Sequence, residues 1–198
     1  MLCDASLEPE NKLVCNSCWE RLNPAEELES FISQDQIFSV FPYSPDMKTI
    51  IHELKYYWKT HLAGNLGNAV GKLILENKQL SNADYIVPVP LHKVRLRSRG
   101  FNQSELLSEK ISEVTGISCV AGQLIRKRYT ETQATLPLNK RAKNVEGAFQ
   151  IKDDKIFNKK RVILVDDVIT TGSTLLECIK VLKAGGAGEV KAVTAAMA

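Results

Sequence analysis

The four residues Val162-Ile-Leu-Val165 constrain this chain more than any others. An uninterrupted apolar run bounded by Arg161 and Asp166 reads as a strand covered on both faces, the signature of a parallel sheet with helices on each side. Two acids, Asp166 and Asp167, follow where such a strand runs out of the core. Thr170-Thr-Gly-Ser-Thr174 then leads into Leu175 to Lys183, an amphipathic stretch that reads as a helix. Hydroxyls and a glycine between strand end and helix start make a phosphate cup, because backbone N–H groups, the helix dipole and the hydroxyls point at one anion. Adjacent carboxylates suit a diol, since each ionised oxygen accepts a hydrogen bond from a hydroxyl. A phosphate a few bonds from a cis-diol describes ribose 5-phosphate. The structural alternative is a buried strand, a helix capped by Ser173 or Thr170, and two solvated acids. A capping signal alone is common, but this order of residue types is much more specific. The stretch is neither a Walker A loop nor a G-x-G-x-x-G fingerprint.

A chain of 198 residues holds one α/β domain and a small appendage. Its 44% hydrophobic and 25% charged residues are ordinary globular values. A net charge of +3 does not by itself argue for nucleic acid. The cations are nonetheless clustered, at Lys93/Arg95/Arg97/Arg99, Arg126/Lys127/Arg128, Lys140/Arg141/Lys143 and Lys159/Lys160/Arg161. With no long apolar run and no signal-peptide pattern, a cytoplasmic location is expected. The five cysteines then read as metal ligands or free thiols rather than disulfides.

Residues 1–35 form a Cys-rich, zinc-knuckle-like segment and linker; residues 36–198 form the main domain. Cys15-Asn-Ser-Cys18 is a C-x2-C knuckle with Cys3 upstream. A structural zinc site takes four ligands, usually as two such pairs, and the missing member would fall just before Met1. A natural start further upstream, a distant His52, His61 or His92, or no metal at all are the alternatives. A redox role lacks the strand–helix context it needs. The acidic stretch Glu26, Glu27 and Glu29 suggests a short helix, and Ile37 to Tyr43 a strand at an edge. Asp46 caps an expected helix with Met47, Ile50, Ile51, Leu54 and Tyr57 on one face. Leu62 to Leu75 makes a second helix, with Gly64, Gly67 and Gly71 on a tightly packed face.

Asp84 to Pro90 is a strand stopped by two prolines. Leu91 to Gln103 then reads as a basic loop; if extended, alternation puts Lys93, Arg95, Arg97 and Arg99 on one side, where an anion would relieve their repulsion. Phe101 to Val114 is a helix, with Leu106, Leu107, Lys110 and Ile111 toward the core. Ile117 to Val120 is a strand in which Cys119 is a small buried residue. Residues 122–146 are a long polar loop of the functional kind, and Ala148 to Ile151 resumes a strand. Asp153-Asp154 is a surface turn, and Val190 to Met197 is the closing strand.

The ordered motifs are the Cys knuckle, Ile86-Val-Pro-Val-Pro-Leu91, Arg99-Gly-Phe-Asn-Gln103, Thr132-Gln133, Arg141, Asn144-Val-Glu-Gly-Ala-Phe149 and Val165-Asp-Asp-Val-Ile-Thr-Thr-Gly-Ser-Thr174. The last resembles the 5-phosphoribosyl 1-pyrophosphate (PRPP) motif of type I phosphoribosyltransferases. The whole series resembles the ComF family of competence-associated proteins (ComFC-like). The resemblance implies a type I phosphoribosyltransferase fold, a central parallel sheet flanked by helices, with an N-terminal zinc knuckle. It also implies PRPP as substrate, Mg2+ with PRPP, structural Zn2+ on Cys3, Cys15 and Cys18, and DNA uptake beside a helicase-like partner. By match to the motif, Asp166 and Asp167 would hold the ribose hydroxyls and Thr170, Thr171, Gly172, Ser173 and Thr174 the 5-phosphate. Leu91, His92, Lys93, Arg95, Arg97 and Arg99 would take pyrophosphate; Arg128, Thr132, Gln133, Arg141 and Asn144 would belong to a flexible lid. The acceptor of the phosphoribosyl group is not legible. A module that binds single-stranded DNA through its cations and Tyr56, Tyr57, Trp58 and Tyr129 is the second expectation. An adaptor docking a partner through the knuckle is the third.

Overall fold

The computed structural model describes residues 14, 18, 19, 22, 28–32, 35–130 and 137–198. In chain order, β1 (Leu28–Ile32) and β2 (Asp35–Pro42) precede helices α1 (Pro45–Tyr56) and α2 (His61–Glu76). Next come β3 (Tyr85–Pro88), α3 (Lys93–Arg99), α4 (Gln103–Thr115), β4 (Ser118–Cys119) and β5 (Leu124–Arg126). The chain closes with α5 (Leu138–Val145), β6 (Phe149–Ile151), β7 (Arg161–Ile169), α6 (Ser173–Ala184) and β8 (Glu189–Met197). The main sheet has the order β1-β2-β8-β7-β3-β4, parallel except for the antiparallel edge strand β1; β5 and β6 pair apart from it as an antiparallel ribbon.

Both faces of β7 are covered, as its unbroken apolar run requires. Ile163 and Val165 pack with Ile86 and Val193 beneath α1, α2 and α4, represented by Leu54, Leu66 and Leu107. Val162 and Leu164 point the other way, to Ile179 and Leu182 of α6 and to Phe149 and Phe157. The period of two along a strand makes this division. Glycines let α2 approach α4: a Cβ at Gly71 would lie 2.7 Å from Val114 and one at Gly67 2.7 Å from Lys110, whereas nothing lies within 4 Å of one at Gly64. Two of the three glycines expected on a packed face are therefore there.

Several local expectations are corrected. Leu28–Ile32 is a strand, and β2 is no edge, because β1 and β8 flank it. The division expected at 35/36 falls after the first residue of β2, a strand that pairs with β1 in one sheet. Ser44, not Asp46, caps α1, its side chain accepting from the Met47 N–H at 3.2 Å, and Tyr57 lies past the helix end with 60% exposure. The basic segment is helical, not extended: the His92 Nδ1 accepts from Val94 N at its start, and Gly100 closes it at φ 85°. The polar stretch 122–146 contains β5 and α5. Cys119 is partly exposed rather than buried, and burial, Glu109 and Glu105 push its thiol up to about 11. Among the described residues no helix is long and apolar enough to cross a membrane.

Candidate functional site

Strands that stop together leave a crevice at their carboxyl ends, the usual place for ligands in open α/β sheets. Here a cavity of about 440 Å³ opens there, walled by α1, the 89–91 turn, α3, the end of β7 and the 170–175 turn. β7 runs on through both acids to Ile169, so Asp166 and Asp167 are strand residues rather than loop residues.

The two acids differ. Asp167 is 2% exposed and fully engaged: Gln103 Nε2 donates to its Oδ1 at 2.9 Å, and the Lys55 ammonium forms an ion pair with its Oδ2. Burial alone would raise this carboxyl; the Lys55 charge and the hydrogen bonds from Lys55 and Gln103 outweigh it and hold Asp167 below the usual range. Burial opposes the Lys55 charge too, but Asp167 outweighs it and raises the amine above its ordinary 10.5. Asp166 is half-buried. Its Oδ1 accepts from Ser104 Oγ at 2.7 Å and from the Asp167 N–H at 2.9 Å, while no described residue donates to Oδ2. Burial, then the neighbouring Asp167 charge, push Asp166 up to about 7. The structural alternative of two solvated acids therefore does not describe this strand end, since Asp167 is buried and Asp166 half-buried.

Thr170, Thr171, Gly172, Ser173 and Thr174 all line the cavity. Gly172 is the N-cap of α6 at φ 72°, a conformation that favours glycine, and as a glycine it brings no side-chain cap to the first turn. Neither Ser173 nor Thr170 is therefore a cap. Thr171 and Ser173 share a hydrogen bond at 2.9 Å, and Arg141 Nη1 donates to Thr170 Oγ1 at 2.9 Å. An uncapped helix start with hydroxyls around it attracts an anion.

The basic helix splits. Leu91, Arg95 and Arg99 line the cavity; Lys93 and Arg97 are exposed and do not. His92 is buried as the cap of α3, and burial followed by Lys93, Arg126 and Arg95 keeps its imidazole below the usual value. A helical repeat puts residues four apart on one face, which is why Arg95 and Arg99 point together. Arg95 Nη2 donates to Thr130 O at 2.8 Å, and Arg99 donates to Gln103 Oε1 while lying over the Tyr56 ring. Of the expected lid residues, Arg141 reaches the cavity; Arg128 Nη2 instead donates to the Glu146 and Asn144 carbonyls at 2.7 and 3.1 Å. Thr132 and Gln133 lie outside the described residues, as do Cys3 and Cys15; Cys18 is described and buried.

Four residues that the sequence did not single out as site residues complete the site: Lys55, Gln103, Ser104 and Arg126. Lys55 stands four residues after Ile51, on the border of the apolar stripe of α1, the one local hint it offers. Arg126 lines the cavity at 9% exposure, its Nε without a partner among the described residues.

Residues 83–197 match the family described as phosphoribosyl transferase domain. The DNA utilization protein YhgH of Salmonella typhimurium is 31% identical over 90% of this chain and 75% of its own length. The competence protein F of Haemophilus influenzae is 33% identical over 80% and 71%. The competence protein ComFC of Streptococcus pneumoniae is 29% identical over 77% and 64%. The chain belongs to the ComF family of proteins built on a phosphoribosyl transferase domain.

Proposed function

We propose that the cavity binds PRPP and that the protein transfers its phosphoribosyl group to an acceptor during DNA uptake or use. The observation that carries this reading is the convergence on one cavity of Asp166, the 170–174 cup, Arg95, Arg99 and Arg126. The cup takes the 5-phosphate, the open Oδ2 of Asp166 accepts a ribose hydroxyl, and Arg95, Arg99 and Arg126 face the pyrophosphate. Cations fixed in a half-buried site act on charge developing on a leaving group, and a carboxylate beside the ring favours an oxocarbenium-like state. Asp166, a half-buried carboxyl that lines the cavity, fits a divalent cation as well; Mg2+ carried in with PRPP would neutralise the pyrophosphate. Calorimetry with PRPP and Mg2+, followed by an acceptor screen for pyrophosphate release, tests the reading. No heat of binding would end it.

Single-stranded DNA binding is a second reading, favoured by one observation. Tyr56, Tyr57, Trp58 and Tyr129 are 55%, 60%, 68% and 55% exposed rather than core, with Arg99 over Tyr56 and Arg95 over Tyr129. Exposed rings beside arginines suit base stacking, and the relatives' names refer to DNA utilization and competence. Affinity should fall by roughly 0.7 log unit per log unit of salt for each phosphate neutralised; retention indifferent to salt argues against it. A helicase-like partner, a cytoplasmic location and a zinc on the Cys3, Cys15 and Cys18 segment follow from family resemblance. Elemental analysis for zinc checks the last.

A further inference from the structure

We propose that Lys55 is a positioning residue of this site: it locks Asp167 inward as an internal counter-ion, leaves Asp166 as the one acid presented to the ligand's diol, and supplies the positive charge that two adjacent carboxylates otherwise draw from a bound cation. The inference rests on the reading of the cavity as a sugar-phosphate site. Lys55 lies on α1, outside the residues 83–197 that match the transferase domain.

The geometry leaves little freedom. Both oxygens of Asp167 are occupied by side chains from helices on the same side of the sheet, Oδ1 by Gln103 from α4 and Oδ2 by Lys55 from α1. Both acids line the cavity, but Asp167 is 2% exposed with its oxygens held by Gln103 and Lys55, whereas Asp166 is half-buried and the described residues donate to its Oδ1. Adjacent like charges disfavour one another, and a cation between them relieves this. In Lys55 the chain carries that cation itself. The Lys55 side chain is 18% exposed and lines the cavity, so its charge acts on Asp166 as well as on Asp167. The charged groups facing the pair are Asp166, from the same strand, and Arg99, from α3. Arg99 is tied to Gln103 and Tyr56, so it reaches Asp167 through Gln103 and does not replace Lys55.

The test uses the full chain with ribose 5-phosphate as probe, by calorimetry in EDTA and in saturating Mg2+, beside a PRPP control. Wild type is expected to bind ribose 5-phosphate with an affinity that Mg2+ changes by no more than about threefold, since the internal cation is in place. Lys55→Met is expected to lose roughly tenfold or more in EDTA and to recover most of it in Mg2+, while Lys55→Arg stays within about threefold of wild type. A purely structural lysine would not make affinity Mg2+-dependent. Wild-type-like binding by folded Lys55→Met in EDTA overturns the inference. Should Lys55→Met melt below the assay temperature, Asp167→Asn is compared with Lys55→Met/Asp167→Asn. Equal affinities support action through Asp167, and a further loss of about tenfold in the double variant means direct ligand contact and overturns it. Wild type that binds neither ribose 5-phosphate nor PRPP in any condition rejects the cavity reading itself, a result distinct from all of these.

Discussion

At the start of β7, Asp84 meets Lys160 at 3.5 Å and Arg161 at 3.7 Å, with side chains 31% to 51% exposed; at its end, Asp167 meets Lys55 with side chains 2% and 18% exposed. The same kind of pairing serves different purposes. Asp84 is held below its ordinary 3.8 first by the Arg161 N–H that it accepts at 2.7 Å, and water screens its cations. It fixes where the strand begins. Asp167 lies where water does not reach, so its partner is obligatory: removing one member of a buried pair leaves an uncompensated charge. One strand thus carries a replaceable pair at one end and an irreplaceable one at the other, and the irreplaceable one sits beside the cavity.

The largest effect expected from this contrast is on stability at the cavity end. Asp167→Asn leaves Lys55 without its counter-charge and should destabilise the fold by about 3 kcal/mol or more, lowering the melting midpoint by roughly 6 °C or more. Unfolding in urea checks it, and an unchanged midpoint would erase the difference between the two ends. The pair's pH window follows from its shifts. The contribution of Asp167 is present above its ordinary 3.8 and is lost as pH falls through its lower folded value; that of Lys55 is present below 10.5 and is lost as pH rises through its higher folded value.

Asp166→Asn should act in the opposite direction. An acid raised to about 7 binds more protons folded than unfolded between pH 3.8 and 7, so ionising it costs stability as pH rises through that window. Replacing it should stabilise the unliganded protein by on the order of 1–2 kcal/mol at pH 8, the gain vanishing toward pH 4. Midpoints of both proteins across that range decide it; a gain that grows on acidification contradicts the argument. The smallest effect belongs to Asp84→Asn, which keeps the acceptor for the Arg161 N–H and loses only screened charge. Its midpoint should match that of wild type at moderate salt, and a drop comparable to that of Asp167→Asn would break the comparison.

The sequence announced the parts of this site that are contiguous and withheld those that are not. Val162–Val165 and the 170–174 cup were legible because strand burial and helix starts leave local signatures. Lys55 and Asp167 are 112 positions apart, and no local period joins them; only the packing of α1 on the sheet does. The basic segment misled for a different reason. Lys93, Arg95, Arg97 and Arg99 alternate with Val94, Leu96 and Ser98, yet Val94 and Leu96 remain 48% and 41% exposed, so the alternation records no buried face. The His92 cap and Gly100 stop decide the helix instead. Gln103 stood in a quoted motif without a role because its partner is Asp167, on another element.

The central claim is that Asp166, not Asp167, faces a sugar phosphate in the cavity. Calorimetry of Mg2+–PRPP against wild type and Asp166→Asn tests it most directly. Loss of a hydrogen bond to a charged group, worth about 1.5–3 kcal/mol, predicts binding by wild type and a fall of roughly 10- to 100-fold in the variant, in a protein at least as stable as its parent at pH 8. Wild-type affinity in Asp166→Asn would contradict it.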